Sequence, residues 1–150
     1  MDVQYRQFKT TDCKIVAELI QNLYREDPSE KLVSLHKIQN TFDSLIQHPD
    51  RGAIMVFEHR GEVIGYSILI NIWSNEFGGN IVVIDELYIK KEFRSRGIGS
   101  HFIKHLAENR FGGSVALQLE VTPRNTRARR LYESIGFKFK KNTTLTLDLG

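Results

Sequence analysis

The sequence contains few of the residues that mark secreted, linker-rich or membrane-spanning proteins. Its single cysteine, Cys13, allows no internal disulfide and no cysteine-built metal site. Only three prolines occur, and none lies in a proline-rich segment that would mark a linker. The longest apolar run, 63–72, is interrupted by polar residues and is shorter than the roughly 20 residues of a membrane helix. We therefore expect one soluble domain over residues 1–150.

Charge and the amino-terminal residues exclude further classes. No apolar segment with a small-residue cleavage site follows Met1, so we expect a cytoplasmic protein. The formal net charge of +3 is small for a nucleic-acid partner, and no basic strand with interleaved aromatic residues is present. The five histidines show no metal-ligand spacing. We expect no nucleic-acid, membrane or metal partner.

Hydrophobic periodicity predicts the element order βααβββαβαββ. The first helix follows the cap candidates Thr10, Thr11 and Asp12, and Ser34 and Asn125 are cap candidates for the second and last helices. Glycines 112 and 113 are expected to end the third helix, and Gly136 the fourth. The predicted strands are 3–8, 53–58, 63–73, 81–90, 114–121, 137–140 and 143–149, and the third helix is predicted over 97–109.

The segment Arg94-Ser95-Arg96-Gly97-Ile98-Gly99-Ser100, called the cradle segment below, joins a predicted strand to a predicted helix. Glycines allow close approach of the backbone to an anion, and the free N–H groups of the first helical turn point toward it. Arginines at 94 and 96 add cationic partners suited to phosphate. The segment therefore predicts a pyrophosphate site, although a Gly-rich turn before a helix is as often structural.

The sequence resembles the GNAT superfamily of acetyl-coenzyme A-dependent N-acetyltransferases. Arg94, Gly97 and Gly99 match the family's pyrophosphate motif, Arg/Gln-x-x-Gly-x-Gly/Ala. The later segment, 119–137, is similar to the family's strand, Asn and helix ending in Leu-Tyr-x-x-x-Gly-Phe. Both motifs occur in order, and the specific resemblance covers about residues 81–140.

This resemblance implies an α/β (α+β) fold with a mixed, mostly antiparallel sheet. The sheet is splayed between the fourth and fifth strands, flanked by about four helices, and holds acetyl-coenzyme A in the opening. The backbone of Leu87, Tyr88 and Ile89 would pair with the pantetheine arm, and an N–H near Leu87 would stabilise the oxyanion. A homodimer is compatible with the family.

The resemblance also suggests catalytic roles. Tyr132 is at the family position of a general acid beside the coenzyme sulfur, and a packed aromatic residue is the alternative. Asn125 caps its helix and, in the functional interpretation, also bonds the pantetheine or a water. The candidate bases are Asp85 and Glu86, adjacent on one strand and therefore expected on opposite faces, and Glu120.

The acidic residues favour a small cationic amine, polyamine- or amino-acid-like, as the acceptor, because carboxylates attract a protonated amine. The pair Asp85 and Glu86 resembles the spermidine/spermine-type acetyltransferases. Glu120 instead resembles the base of enzymes that acetylate a ribosomal protein N-terminus. A protein or peptide N-acetyltransferase and a catalytically silent acyl-coenzyme A sensor remain the alternatives.

Overall fold

A computed structural model describes residues 1–29 and 31–150 and divides them into two compact units, 1–120 and 121–150. The larger unit contains a five-stranded sheet with strands in the order β1-β2-β3-β4-β5. Neighbouring strands are antiparallel except for the parallel pair β4 and β5, which confirms the predicted mixed, mostly antiparallel sheet. The strands are β1 (Gln4–Gln7), β2 (Gly52–His59), β3 (Glu62–Ser74), β4 (Gly79–Ile89) and β5 (Ala116–Leu119).

A two-residue turn, Arg60-Gly61, joins β2 to β3. Arg60 and Gly61 both have positive φ angles, 49° and 78°, which is the conformation of a type I′ hairpin turn. Such a turn matches the right-handed twist of the two strands it joins. The hairpin places the ends of β2 and β3 in direct register, with His59 opposite Glu62.

Four helices flank these strands or follow them, as expected. Helices α1 (Cys13–Glu26), α2 (Leu35–Gln47) and α3 (Ile98–Glu108) belong to the larger unit, and α4 (Thr126–Ile135) to the smaller. Ser34 caps α2 as predicted, because its hydroxyl accepts a hydrogen bond from the N–H of Lys37 at 3.2 Å. No helix among the described residues is long and apolar enough to cross a bilayer.

Two predicted helix ends differ from the structure. Asp12 does not cap α1; its carboxylate accepts from both terminal nitrogens of Arg6, at 2.8 and 2.9 Å, and from the N–H of Lys9. A charged partner outcompetes the helix end because hydrogen bonds between ionised groups are the stronger ones. Helix α3 ends at Glu108, before Gly112 and Gly113, because Arg110 already has a positive φ of 46°.

The core of the larger unit lies on both faces of the sheet. On one face, the apolar sides of α1 and α2 pack on alternate residues of β2 and β3, including Val56 and Tyr66. On the other face, Phe102 of α3 lies 4.6 Å from Phe57 and 5.1 Å from Tyr5, measured between ring centroids. Each fully buried large side chain contributes about 1.5–3 kcal/mol. This packing places the sheet between two helical layers.

The smaller unit, residues 121–150, contains α4 and no strand, so the strands predicted over 137–140 and 143–149 are wrong. The alternation of Leu145, Leu147 and Leu149 fits a pleat, but these side chains are exposed. A strand forms only where its backbone N–H and C=O groups have hydrogen-bond partners on the edge of another strand. At the start of the segment, the N–H of Phe137 is already bonded to Tyr132 O at 3.0 Å, which closes α4 instead.

Candidate active site

Strands β4 and β5 separate where their acidic residues begin. Their pairing covers four positions and ends with Ile84 opposite Leu119, and β4 then continues to Ile89. Asp85 and Glu120 are the next residues after the paired parts of β4 and β5, and we call this point the fork. Surrounding protein atoms desolvate the Asp85 carboxyl, which still has exposed surface, and raise its pKa; the charge of Glu120 raises this pKa further. The fork therefore brings a coupled pair of carboxyl groups together.

A bulge in β4 changes how Asp85 and Glu86 are presented. Ile68 of β3 lies opposite Glu86 and Leu69 lies opposite Ile84, which leaves Asp85 as an extra residue. The prediction that Asp85 and Glu86 face opposite sides requires uninterrupted alternation, and the bulge interrupts it. The charge of Asp85 raises the pKa of both Glu86 and Tyr24. The two carboxyl groups therefore interact electrostatically, and the face toward which Asp85 points stays a prediction.

Glu86 is half-buried and has two tyrosine partners. Its Oε2 accepts a hydrogen bond from the Tyr24 hydroxyl at 2.7 Å, and its Oε1 accepts one from the Tyr66 hydroxyl at 2.8 Å. Burial is the largest influence and raises the pKa of Glu86, whereas both tyrosine bonds lower it and Asp85 raises it. Sequence reasoning did not single out either tyrosine, because they lie 62 and 20 residues from Glu86 and in no motif.

The cradle segment has the predicted geometry of an anion site. Gly97 occupies the position before α3 in the left-handed conformation, with φ 75° and ψ 13°, and no side chain caps the helix. The first backbone bond of α3 runs from His101 N–H to Gly97 O, at 2.9 Å. The N–H groups of Ile98, Gly99 and Ser100 precede that bond and so have no partner within the helix. These donors, at the positive end of the helix dipole, suit a phosphate.

The open edge of β4 lies beside the cradle segment. Lys90 N–H bonds to Ile64 O at 2.8 Å, so the backbone groups of Lys90 point toward β3. In antiparallel pairing, alternate residues direct their backbone groups to opposite edges, so those of Leu87 and Ile89 point away from β3. A Cβ added to Gly99 would lie 3.6 Å from Leu87 and 3.7 Å from Ile89. Gly99 therefore lies against the side chains of Leu87 and Ile89.

The cradle arginines bond to the protein itself. Arg94 donates to Ile89 O at 2.7 Å and to the Glu26 carboxylate at 2.8 Å, and its guanidinium lies 5.1 Å from the centre of the Tyr88 ring. Arg96 donates to Glu92 O at 3.2 Å. Arg94 lowers the pKa of Glu26. The ion pair with Glu26 ties the cradle segment to α1, and the phosphate-binding role of Arg94 and Arg96 stays a prediction.

Tyr132 and Asn125 lie in the smaller unit. The Asn125 side chain accepts a hydrogen bond from Ala128 N–H at 3.1 Å, which confirms its capping role. Burial raises the pKa of the Tyr132 phenol, and its ring meets that of Phe137 edge-on, with 5.9 Å between centroids. Tyr132 is therefore a protonated phenol near neutral pH.

Comparison with known proteins agrees with this arrangement. The model of the acetyltransferase (GNAT) family matches residues 16–137. Thialysine N-epsilon-acetyltransferase of Bos taurus is 30% identical over 142 residues, covering 89% of this chain and 83% of its own.

Two solved structures share the fold. A structure described as a possible acetyltransferase from Clostridium difficile 630 has a TM-score of 0.84 at 20% identity, and covers 98% of this chain and 97% of its own. The structure of AAC(6')-Iy with the bisubstrate analogue CoA-S-monomethyl-acetylneamine has a TM-score of 0.78 at 16% identity, and covers 99% of each chain. The chain therefore belongs to the GNAT family and is an acetyl-coenzyme A-dependent N-acetyltransferase.

Proposed function

We propose that this enzyme acetylates a small cationic amine, polyamine- or amino-acid-like, at the fork between β4 and β5. The observation that carries the proposal is the position of three carboxyl residues there: Asp85 and Glu86 lie at the bulge of β4, and Glu120 directly follows β5. Alkylamines have pKa values near 10 and reach the enzyme as cations, so a negative site attracts them. The name of the bovine relative, thialysine N-epsilon-acetyltransferase, supports an amine of this kind.

The residues around β4 and α3 fit acetyl-coenzyme A as the cosubstrate. The uncapped first turn of α3 offers Ile98, Gly99 and Ser100 N–H groups to the pyrophosphate. The edge of β4 that faces away from β3 suits the amides of an extended pantetheine arm, since amides pair with backbone groups as a strand does; at Ile89 the backbone oxygen already accepts a hydrogen bond from Arg94. We assign Asn125 to the same arm. The bound cosubstrate supplies an acetyl group already activated as a thioester.

Transfer to an amine that arrives as a cation removes two protons from its nitrogen, one before attack and one as the nitrogen–carbon bond forms, and delivers one proton to the sulfur. We assign the first to Asp85, directly or through water, because a carboxyl with a raised pKa is the better proton acceptor. As the nitrogen–carbon bond forms and the carbon–sulfur bond breaks, Tyr132 donates a proton to the departing sulfur. A backbone N–H at the open edge near Leu87 stabilises the negative oxygen. The second proton of the nitrogen returns through water to the Tyr132 phenolate, and Asp85 releases its proton to solvent, so that protons and charge balance without a covalent enzyme intermediate.

A panel of amines and peptides tests the proposal, with thiol release from acetyl-coenzyme A as the readout. We expect turnover with small di- and polyamines or basic amino acids, and a large loss in kcat/KM for Asp85→Asn. Turnover with amino-terminal peptides alone, lost in Glu120→Gln, would establish the peptide acetyltransferase instead. Tight coenzyme binding without turnover on any acceptor would establish the silent sensor.

A further inference from the structure

The Glu86 carboxylate is held by neutral donors from two different elements. Tyr24 belongs to the last turns of α1, and Tyr66 to the middle of β3, where its ring is fully buried. Each hydroxyl donates to a different oxygen of Glu86. The hydroxyl of Ser67 donates to the backbone oxygen of the same residue at 2.8 Å. Position and side-chain direction of Glu86 are thus both fixed from outside its own strand.

Two other carboxylates of the chain are held mainly by arginines. Asp12 and Glu26 each form an ion pair with an arginine, Arg6 and Arg94. An arginine cancels the charge of the carboxylate that it binds. A phenol donates a comparable hydrogen bond and stays neutral. Burial and the charge of Glu86 raise the pKa of both tyrosines, which keeps them protonated.

We propose that Tyr24 and Tyr66 are positioning residues of the acetyl-transfer site: they orient Glu86 as a fixed negative charge for the amine while Asp85 receives its proton. An ionised carboxylate has about four acceptor sites, so two tyrosine bonds leave room for an ammonium donor. This inference rests on the proposed function and divides the roles of Asp85 and Glu86, which sequence leaves open.

Groups from each packed element contribute to the titration of Glu86. Tyr24 of α1 and Tyr66 of β3 lower its pKa, and Asp85 of β4 raises it. Glu120, after β5, acts through Asp85. Removing one tyrosine hydroxyl therefore takes away a stabilising donor and shifts the pKa of Glu86 upward. A group that must be ionised to bind the amine then works only at higher pH.

The test uses Tyr24→Phe and Tyr66→Phe, which keep the rings. Tyr5→Phe is the matched control, because it removes a hydroxyl bonded to His101 at 2.7 Å on the other face of the sheet. Carboxyl carbon NMR, assigned with Glu86→Gln, follows Glu86 in the protein without substrates. We expect its pKa to rise in both Tyr24→Phe and Tyr66→Phe and to stay unchanged in Tyr5→Phe. Tyr24 is half-buried, so Tyr24→Phe carries the test if Tyr66→Phe fails to fold.

Kinetics test the link to the reaction. For a cationic amine we expect kcat/KM of Tyr24→Phe to fall about tenfold or more, mainly through KM, with the rising limb of the pH profile moved upward. Adding Tyr24→Phe to Glu86→Gln should cost little more, because the tyrosine acts through that carboxylate. Independent, multiplying losses would overturn the inference, as would an unmoved Glu86 pKa in an active enzyme. A wild-type protein without turnover on any amine would instead refute the proposed function.

Discussion

The backbone at Gly97 supports a quantitative prediction about the cradle segment. Gly97 has a φ of 75°, a conformation that ordinary residues adopt at a cost of about 1–2 kcal/mol. A Cβ added there would have no atom within 4 Å, so no collision adds to that cost. Gly97→Ala should therefore lower the free energy of unfolding by about 1–2 kcal/mol. For a chain of this length, the corresponding fall in Tm is about 2–8 °C.

Two further substitutions isolate the cause. Gly97→Asn should lose less stability than Gly97→Ala, because asparagine enters the left-handed region more readily. Gly99→Ala should leave stability unchanged or raise it by about 0.5 kcal/mol, because Gly99 is helical and its Cβ would make ordinary contacts. Urea unfolding monitored by circular dichroism measures all three. Equal losses for Ala and Asn at position 97 would show that backbone conformation is not the source.

The same variants should separate stability from binding. In Gly97→Ala the backbone at position 97 should move away from the left-handed region, which would redirect the N–H groups of Ile98 and Gly99. The affinity for coenzyme A should therefore fall although the chain stays folded. A bulky residue at Gly99 should weaken binding strongly, because its side chain would cover Leu87 and Ile89. Isothermal titration calorimetry gives both affinities. Unchanged affinity in folded variants at both positions would refute the phosphate site.

Three other outcomes are expected. Glu120→Gln should lower the pKa of Asp85 and move the rising limb of the pH–rate profile to lower pH, although burial still raises that pKa in the variant. An unmoved limb would contradict the interaction between the two carboxyl groups. Tyr132→Phe should reduce kcat by about 10²–10⁴-fold with little change in coenzyme affinity, and near-normal turnover would assign the proton to water. Arg6 lowers the pKa of Asp12 in the folded protein, so Asp12→Asn should cost about 1.5–3 kcal/mol at neutral pH. Denaturant midpoints should show this difference shrinking as pH falls below about 4, through the folded pKa of Asp12, and a constant difference would contradict the pairing.

Sequence patterns predicted those features of the fold that depend on residues close together in the chain. Helix caps at Ser34 and Asn125, the turn after His59 and the glycine before α3 follow from side-chain and backbone preferences of neighbouring residues. The strands predicted near the carboxyl terminus failed for the opposite reason. Alternation shows that a segment could pair, but pairing depends on a free edge elsewhere in the chain.

The motif indicated the cradle segment, and the resemblance to the family indicated Asp85, Glu86 and Glu120, whose roles stay predictions. The bulge at Asp85 was not predictable, because an extra residue in one strand becomes visible only against its partner. The tyrosine bonds to Glu86 likewise join residues that are distant in sequence, and no spacing signal connects them.

The ion pair between Glu26 and Arg94 is weak enough for Arg94 to exchange its carboxylate partner for another anion. Its two side chains are 37% and 38% exposed, so the pair contributes only about 0–1 kcal/mol and weakens with added salt. A phosphate that reaches the cradle segment can therefore take the guanidinium at little cost, because arginine–phosphate bonds are stronger. Glu26 is the last residue of α1, the helix that also carries Tyr24. Exchange of the Arg94 guanidinium onto a phosphate would therefore remove one surface contact between the cradle segment and the end of that helix.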